Sequence, residues 1–173
     1  MKLLRYGVSG LEKPAAVDSK GNIRCLSDVV KDIDGASIQK TSIEKLKKLD
    51  LSKFPIVSDE VRIGPCVAGV GKFLCIGLNY SDHAKESGMA VPSEPVVFSK
   101  FVSAICGPDD DIVKPRGSTK LDWEVELGLI IGEQTSYVSE SEAMSSVAGF
   151  CVCNDISERE FQLERSGQWD LGK

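Results

Sequence analysis

The run Asp122-Trp123-Glu124-Val125-Glu126-Leu127 continues without interruption into Gly128-Leu129-Ile130-Ile131. This pattern predicts a strand from Glu124 to Ile131, interior rather than edge because its apolar continuation is long. Period two puts Glu124 and Glu126 on one face, and Trp123, Val125 and Leu127 on the other. Two carboxylates beside a core repel each other and lose hydration, which a cation between them or protonation relieves. The solvent-facing side of an antiparallel strand is the other reading, and this run alone leaves both open.

Downstream, Phe150-Cys151-Val152-Cys153 reads as a buried strand that ends at Asn154-Asp155. A residue ending such a strand often faces a binding crevice, which joins Asp155 to Glu124 and Glu126. Three carboxylates without Cys or His form a hard, oxygen-only set, suited to magnesium, manganese or calcium rather than zinc or copper. Magnesium also keeps positions for water and substrate oxygens. Ser139-Glu140-Ser141-Glu142 is a capping-box pattern that opens a short helix, with Gly149 as its stop. Ser157 and Glu160 form a second, opening a helix to about Arg165. Arg159 and Gln162 stand three apart on it, able to offer a cation and an amide to a carboxylate. The plainer reading of Arg159 is an exposed helix charge.

Upstream, Phe73–Leu78 and Pro95–Lys100 are buried-strand candidates, and 106–118 is a loop whose Asp109-Asp110-Asp111 run reads as solvated. His83, the only histidine, lies in Asn79-Tyr80-Ser81-Asp82-His83-Ala84-Lys85-Glu86-Ser87-Gly88. Ser81 or Asp82 caps a short helix that Gly88 ends. His83 and Glu86 then share a face, and a carboxylate against an imidazole orients it and raises its basicity, as a general base needs. A structural or surface histidine remains the alternative. Residues 15–17 and 23–26 read as strand, turn, strand, and Ser42–Leu49 as an amphipathic helix stopped near Pro55. The expected division is a small N-terminal domain over 1–66 and a second domain over 67–173.

A net charge of −5 and a pI near 5.0 exclude a nucleic-acid footprint, which needs a basic surface. No apolar stretch resembles a secretory signal or a bilayer span, so the expected location is the cytoplasm. None of the six cysteines forms a C-x-x-C pair. They read as reduced packing residues, with a zinc or redox role resting on cysteine count alone.

Four stretches, in order, resemble the fumarylacetoacetate hydrolase family: Gly77-Leu78-Asn79-Tyr80-Ser81-Asp82-His83-Ala84, Asp122-Trp123-Glu124-Val125-Glu126-Leu127, Asn154-Asp155-Ile156-Ser157-x-Arg159, and Gly172-Lys173. The resemblance covers about residues 70–173. It implies an α+β, predominantly β fold: a mixed β-sandwich roll preceded by a small N-terminal domain, usually as a homodimer. It also implies that Glu124, Glu126 and Asp155 hold magnesium or manganese (calcium as an alternative). His83, paired with Glu86 on a lid, would activate water or take a proton. Lys173 would be catalytic, with Gln162 and Arg159 binding substrate.

Members of the family act on small 2-oxo and 2,4-dioxo acids through a metal-stabilised enolate. Their reactions include acylpyruvate and fumarylpyruvate hydrolysis, oxaloacetate decarboxylation and dienedioate isomerisation; ureidoglycolate lyase activity is the alternative. Family members continue past the Gly-Lys motif, so the expectation here is a truncated catalytic domain with open edges and exposed apolar faces. On that expectation a non-catalytic binding module or an inactive fragment is the competing reading.

Overall fold

The computed structural model describes every residue except Asp59, Ser87 and Met89, and describes only the backbone of His83, Ala84 and Glu86. Local turn chemistry builds the first sheet. The Asp18 carboxylate accepts from Lys20 N and Asn22 N, both at 2.9 Å, and turns the chain between β2 (Lys13–Val17) and β3 (Ile23–Cys25). β1 (Lys2–Tyr6) pairs antiparallel with β2 from Lys2↔Val17 to Tyr6↔Lys13, giving the order β1-β2-β3. The helix α1 (Lys40–Lys47) lays Leu46 against Ala16 and Leu26, ringed by Leu3, Val30, Leu49, Leu51 and Phe54. The expected strand, turn, strand and helix are all present, the helix beginning two residues earlier than its sequence pattern suggests.

The rest of the chain forms two-stranded sheets. β4 (Leu74–Gly77) leads to α2 (Ser81–Glu86) and pairs antiparallel with β5 (Val96–Ser99). β6 (Leu121–Asp122) is followed by β7 (Val125–Ile131), α3 (Glu140–Ala143), β8 (Val147–Asn154) and β9 (Ser157–Glu158). β6 pairs with β9, and β7 with β8. The fold is therefore α+β with strands predominant, in open sheets rather than a closed barrel among the described residues. Two compact units are present: Met1–Val70 with Ile105–Ile112 and Glu126–Cys153, and Gly71–Ala104 with Val113–Val125 and Asn154–Lys173. Among the described residues, no helix is long and apolar enough to cross a membrane.

Several expectations are corrected. The strands at 73–78, 95–100 and 150–153 are not buried: Leu74, Ile76, Val97, Phe150 and Val152 are exposed, Val152 at 80%. Each lies in a sheet of two strands with one covered face. On β7 the alternation is the reverse of an ordinary surface strand, since Leu127, Leu129 and Ile131 face outward while Glu126 and Gly128 are half-buried. Ser157 and Glu160 form no capping box. Ser157 belongs to β9, and only a single π-helical turn follows at Glu160–Glu164. Ser139 hydrogen-bonds the Glu142 carboxylate at 2.6 Å without capping the backbone, and Gly149 lies inside β8. Asp110 is not simply solvated. Arg62, a partner 48 residues away that no local pattern reveals, grips it through two 2.6 Å hydrogen bonds and also reaches Glu12 at 3.0 Å.

All six cysteines are free thiols. Cys151 and Cys153 lie with their sulfurs 3.7 Å apart, over Gly128, where a Cβ would come within 2.7 Å of both. Burial, with the neighbouring Cys66 and Cys153 thiols, pushes the Cys151 thiol up to about 12. A thiol this reluctant to ionise packs as an apolar group.

Candidate active site

In the second unit, aromatic packing and one glycine bring the chain to Lys173. Trp169 meets Phe98 of β5 edge-on, with ring centroids 5.7 Å apart, and a Cβ on Gly77 would lie 2.9 Å from its ring. Asp170 accepts from Ser99 N and Oγ at 3.3 and 3.2 Å. These contacts seat the helical turn Trp169–Gly172 on the β4-β5 ribbon. Gly172 is buried so closely that a Cβ would fall 2.5 Å from Glu158 O and 2.6 Å from Gln162 N. The Gly-Lys pair thus has a physical reason: only glycine permits this approach, and the approach delivers Lys173.

The Lys173 ammonium bridges two carboxylates, 3.0 Å from Glu124 Oε2 and 2.9 Å from Asp155 Oδ2, with its side chain only 2% exposed. Backbone bonding fixes those carboxylates. Asp155 N donates to Glu124 O at 2.8 Å, and Glu124 N donates to Asn154 Oδ1 at 3.2 Å. Lys100, whose side chain is 7% exposed, stands 2.7 Å from Asp155 Oδ1 and donates to Ile156 O at 2.9 Å. Burial alone would raise the Asp155 carboxyl, but Lys100 and Lys173 outweigh it and hold that carboxyl below its ordinary range. Arg159 lies 2.5 Å from Glu124 Oε1, clasps Asp122 Oδ2 at 2.9 and 3.0 Å, and donates to Gln162 Oε1 at 3.1 Å. Its hydrogen bonds hold the Asp122 carboxyl below the usual value.

Of the residues singled out by sequence, Glu124, Asp155, Arg159, Gln162 and Lys173 are linked in this network. Glu126 sits on the half-buried face of β7, in the other compact unit. The α2 backbone carries His83 and Glu86, and Gly88 closes the helix in a left-handed conformation (φ +68°), donating to Lys85 O. The expected His83–Glu86 pairing itself lies outside the described side chains. Lys100 and Asp122 were not singled out. A lysine at the end of an apolar strand is the one signal that could have marked Lys100, because lysine is rarely buried unless paired.

Whether these residues fit the implied divalent cation can be read from their oxygens. Glu124 and Asp155 supply hard carboxylate donors, and buried Asp155 Oδ1 makes no hydrogen bond despite its close ion pair with Lys100. Among the described residues, no group of three or more His, Cys, Asp or Glu side chains is gathered to hold a metal. Glu124 and Asp155 fit a hard cation as a pair of carboxylate donors.

Glu158 supports the site from beneath. Its buried carboxylate accepts from Lys120 N at 2.7 Å, Phe161 N at 2.8 Å, Thr119 N at 3.0 Å and Ser118 Oγ at 3.2 Å. Burial opposes ionisation, yet these donors lower the carboxyl from 4.5 to about 2. A lowered carboxyl stabilises the fold fully above its unfolded value, and that contribution fades as pH falls from 4.5 towards about 2. Thermal melts against pH are expected to show wild type more stable than Glu158→Gln at pH 7, with the gap closing across that window. A gap independent of pH would remove the carboxylate from this role.

The family model for the fumarylacetoacetate hydrolase C-terminal domain matches residues 72–173, more than half of the chain. A Burkholderia orbicola protein, named provisionally as a hydrolase, is 57% identical over all 173 residues, which span 61% of its own length. The fumarylacetoacetate hydrolase of psychrophilic Exiguobacterium antarcticum is similar in fold, with a TM-score of 0.81 at 27% identity, over 100% of this chain and 62% of that one. A Mycobacterium abscessus protein, given provisionally as a 2-hydroxyhepta-2,4-diene-1,7-dioate isomerase, aligns with a TM-score of 0.77 at 25% identity, over 100% and 59% of the two chains. With its motifs in order, its fold matched and its family model spanning 72–173, the chain belongs to the fumarylacetoacetate hydrolase family.

Proposed function

We propose that this protein is a divalent-metal-dependent enzyme of small 2-oxo or 2,4-dioxo acids, catalysing hydrolysis or a related decarboxylation or isomerisation. The observation that carries this reading is the pairing of half-buried Glu124 with buried Asp155, bridged by Lys173 and flanked by Arg159 and Gln162. Glu124 and Asp155 would hold magnesium or manganese. When bound, that ion would polarise the oxygens of the substrate's 2-oxo acid group. Arg159 and Gln162 supply a guanidinium and an amide for a substrate carboxylate. Lys173 supplies an ammonium for charge that develops on oxygen, and His83 with Glu86 is assigned the proton transfer. The provisional name of one relative, a dienedioate isomerase, supports the substrate class, and that of another, a hydrolase, supports an enzymatic role. The reading extends to a cytoplasmic protein that works as a homodimer.

The test is a manganese-supplemented panel of acylpyruvates, fumarylpyruvate, oxaloacetate and ureidoglycolate, followed by loss of substrate. Turnover of an oxo acid is expected, stopped by chelator and reduced roughly 100-fold or more in Glu124→Gln, the scale of losing one preorganised electrostatic contact. Turnover of ureidoglycolate alone would make the enzyme a lyase of that substrate. No turnover of any of them would overturn the enzymatic reading. A second reading, a non-catalytic binding role, is supported by the outward apolar faces of β4-β5 and β7-β8. Cooperative unfolding unmoved by manganese would favour it.

A further inference from the structure

The carboxylates of the site divide their oxygens by partner. Asp155 gives Oδ1 to Lys100 and Oδ2 to Lys173, while Glu124 gives Oε1 to Arg159 and Oε2 to Lys173. Each carboxylate thus has one cationic partner of its own and one in common, Glu124 Oε1 also accepting from Ser157 Oγ at 3.4 Å. The two private partners are tied elsewhere as well: Lys100 to Ile156 O at 2.9 Å, and Arg159 to Asp122 at 2.9 and 3.0 Å. Lys173 has no such second hydrogen bond among those described. Beyond the two carboxylates, its ammonium lies 5.0 Å from the centre of the Phe98 ring.

A hard cation that draws on Glu124 and Asp155 together must compete for the oxygens that Lys173 holds. Two like-charged groups on one pair of carboxylate oxygens this poorly solvated are strongly disfavoured. The lysine stem is flexible and its head is a compact point charge, so of the three cationic side chains it is the one able to withdraw.

Resting on the metal-dependent reading above, we infer that Lys173 is the resident cation of the Glu124–Asp155 pair and that a divalent ion binds by displacing it. Metal loading then frees an ammonium beside the substrate position, so Lys173 becomes able to meet a negatively charged substrate oxygen only once the ion is in place. Substrate affinity and metal affinity are thereby linked through one side chain. Lys100 and Arg159 keep their oxygens throughout and hold the carboxylates in place.

Calorimetric titration of manganese into the wild-type chain and into Lys173→Met tests the exchange. The variant is expected to bind manganese about tenfold more tightly, the scale of one charge-assisted hydrogen bond no longer in competition. Equal or weaker binding by the variant would overturn the displacement and leave the metal reading intact. No binding by either protein would overturn both. Because the variant leaves two carboxylates sharing one fewer cation, a second measurement uses wild type alone. Trace acetylation with acetic anhydride, read by peptide mass, is expected to label Lys173 several-fold faster at saturating manganese, with Lys100 unchanged. Continued protection of Lys173 at saturation would refute the exchange.

Discussion

Asp155→Asn is expected to destabilise the chain by roughly 3–5 kcal/mol, the range for removing one member of a buried ion pair. The asparagine preserves shape but cancels the charge that two buried ammonium groups depend on, Lys100 at 2.7 Å and Lys173 at 2.9 Å. Lys173 keeps Glu124, whereas Lys100 is left, among the described residues, with the Ile156 carbonyl. The loss should therefore fall chiefly on Lys100. Denaturant unfolding of Asp155→Asn, and of Asp155→Leu combined with Lys100→Met, separates the contributions. The double variant, with no charge stranded at that position, is expected to recover much of the lost stability. Wild-type stability in Asp155→Asn would mean that water already solvates these groups.

Gly172→Ala is expected to lower stability by about 1–3 kcal/mol, the usual cost of overpacking, and to withdraw Lys173 from its carboxylates. Its methyl would meet backbone atoms, Glu158 O and Gln162 N, which cannot rotate away as a side chain would. Gly149→Ala is the matched control, since nothing lies within 4 Å of a Cβ there. Thermal melts should separate the two by several degrees, and acetylation of Lys173 should rise in Gly172→Ala alone. Equal melts for both variants would show that the turn shifts freely.

How much of this was legible beforehand depends on whether the signal is local. The turn at Asp18–Asn22, the helix near Leu46 and the β7 strand were readable because their determinants lie within a few residues. Period two also put Glu124 and Glu126 on one face, and the half-buried face of β7 does carry Glu126. The same alternation could not say which face would be covered. Leu127, Leu129 and Ile131 look like core residues in any reading of hydropathy, yet here they point to solvent. At the site, Asp155 was legible as the end of an apolar strand. Lys100 was not, since its meaning lies in a carboxylate 55 positions away. The second capping box misled because Ser157 turns its hydroxyl to Asp155 O at 3.1 Å, leaving no cap to make.

The same contrast in range sets the order in which the molecule assembles. The β1-β2-β3 meander closes through turns of a few residues and can form as soon as α1 is available to cover it. The ammonium bridge joins Glu124 to Lys173 across 49 positions, and it forms only after a large chain loop has been closed. Until then Glu124 and Asp155 lack the cation they share and are held apart by their charge. The network around Lys173 therefore closes through a far longer loop than the turns of the β1-β2-β3 meander.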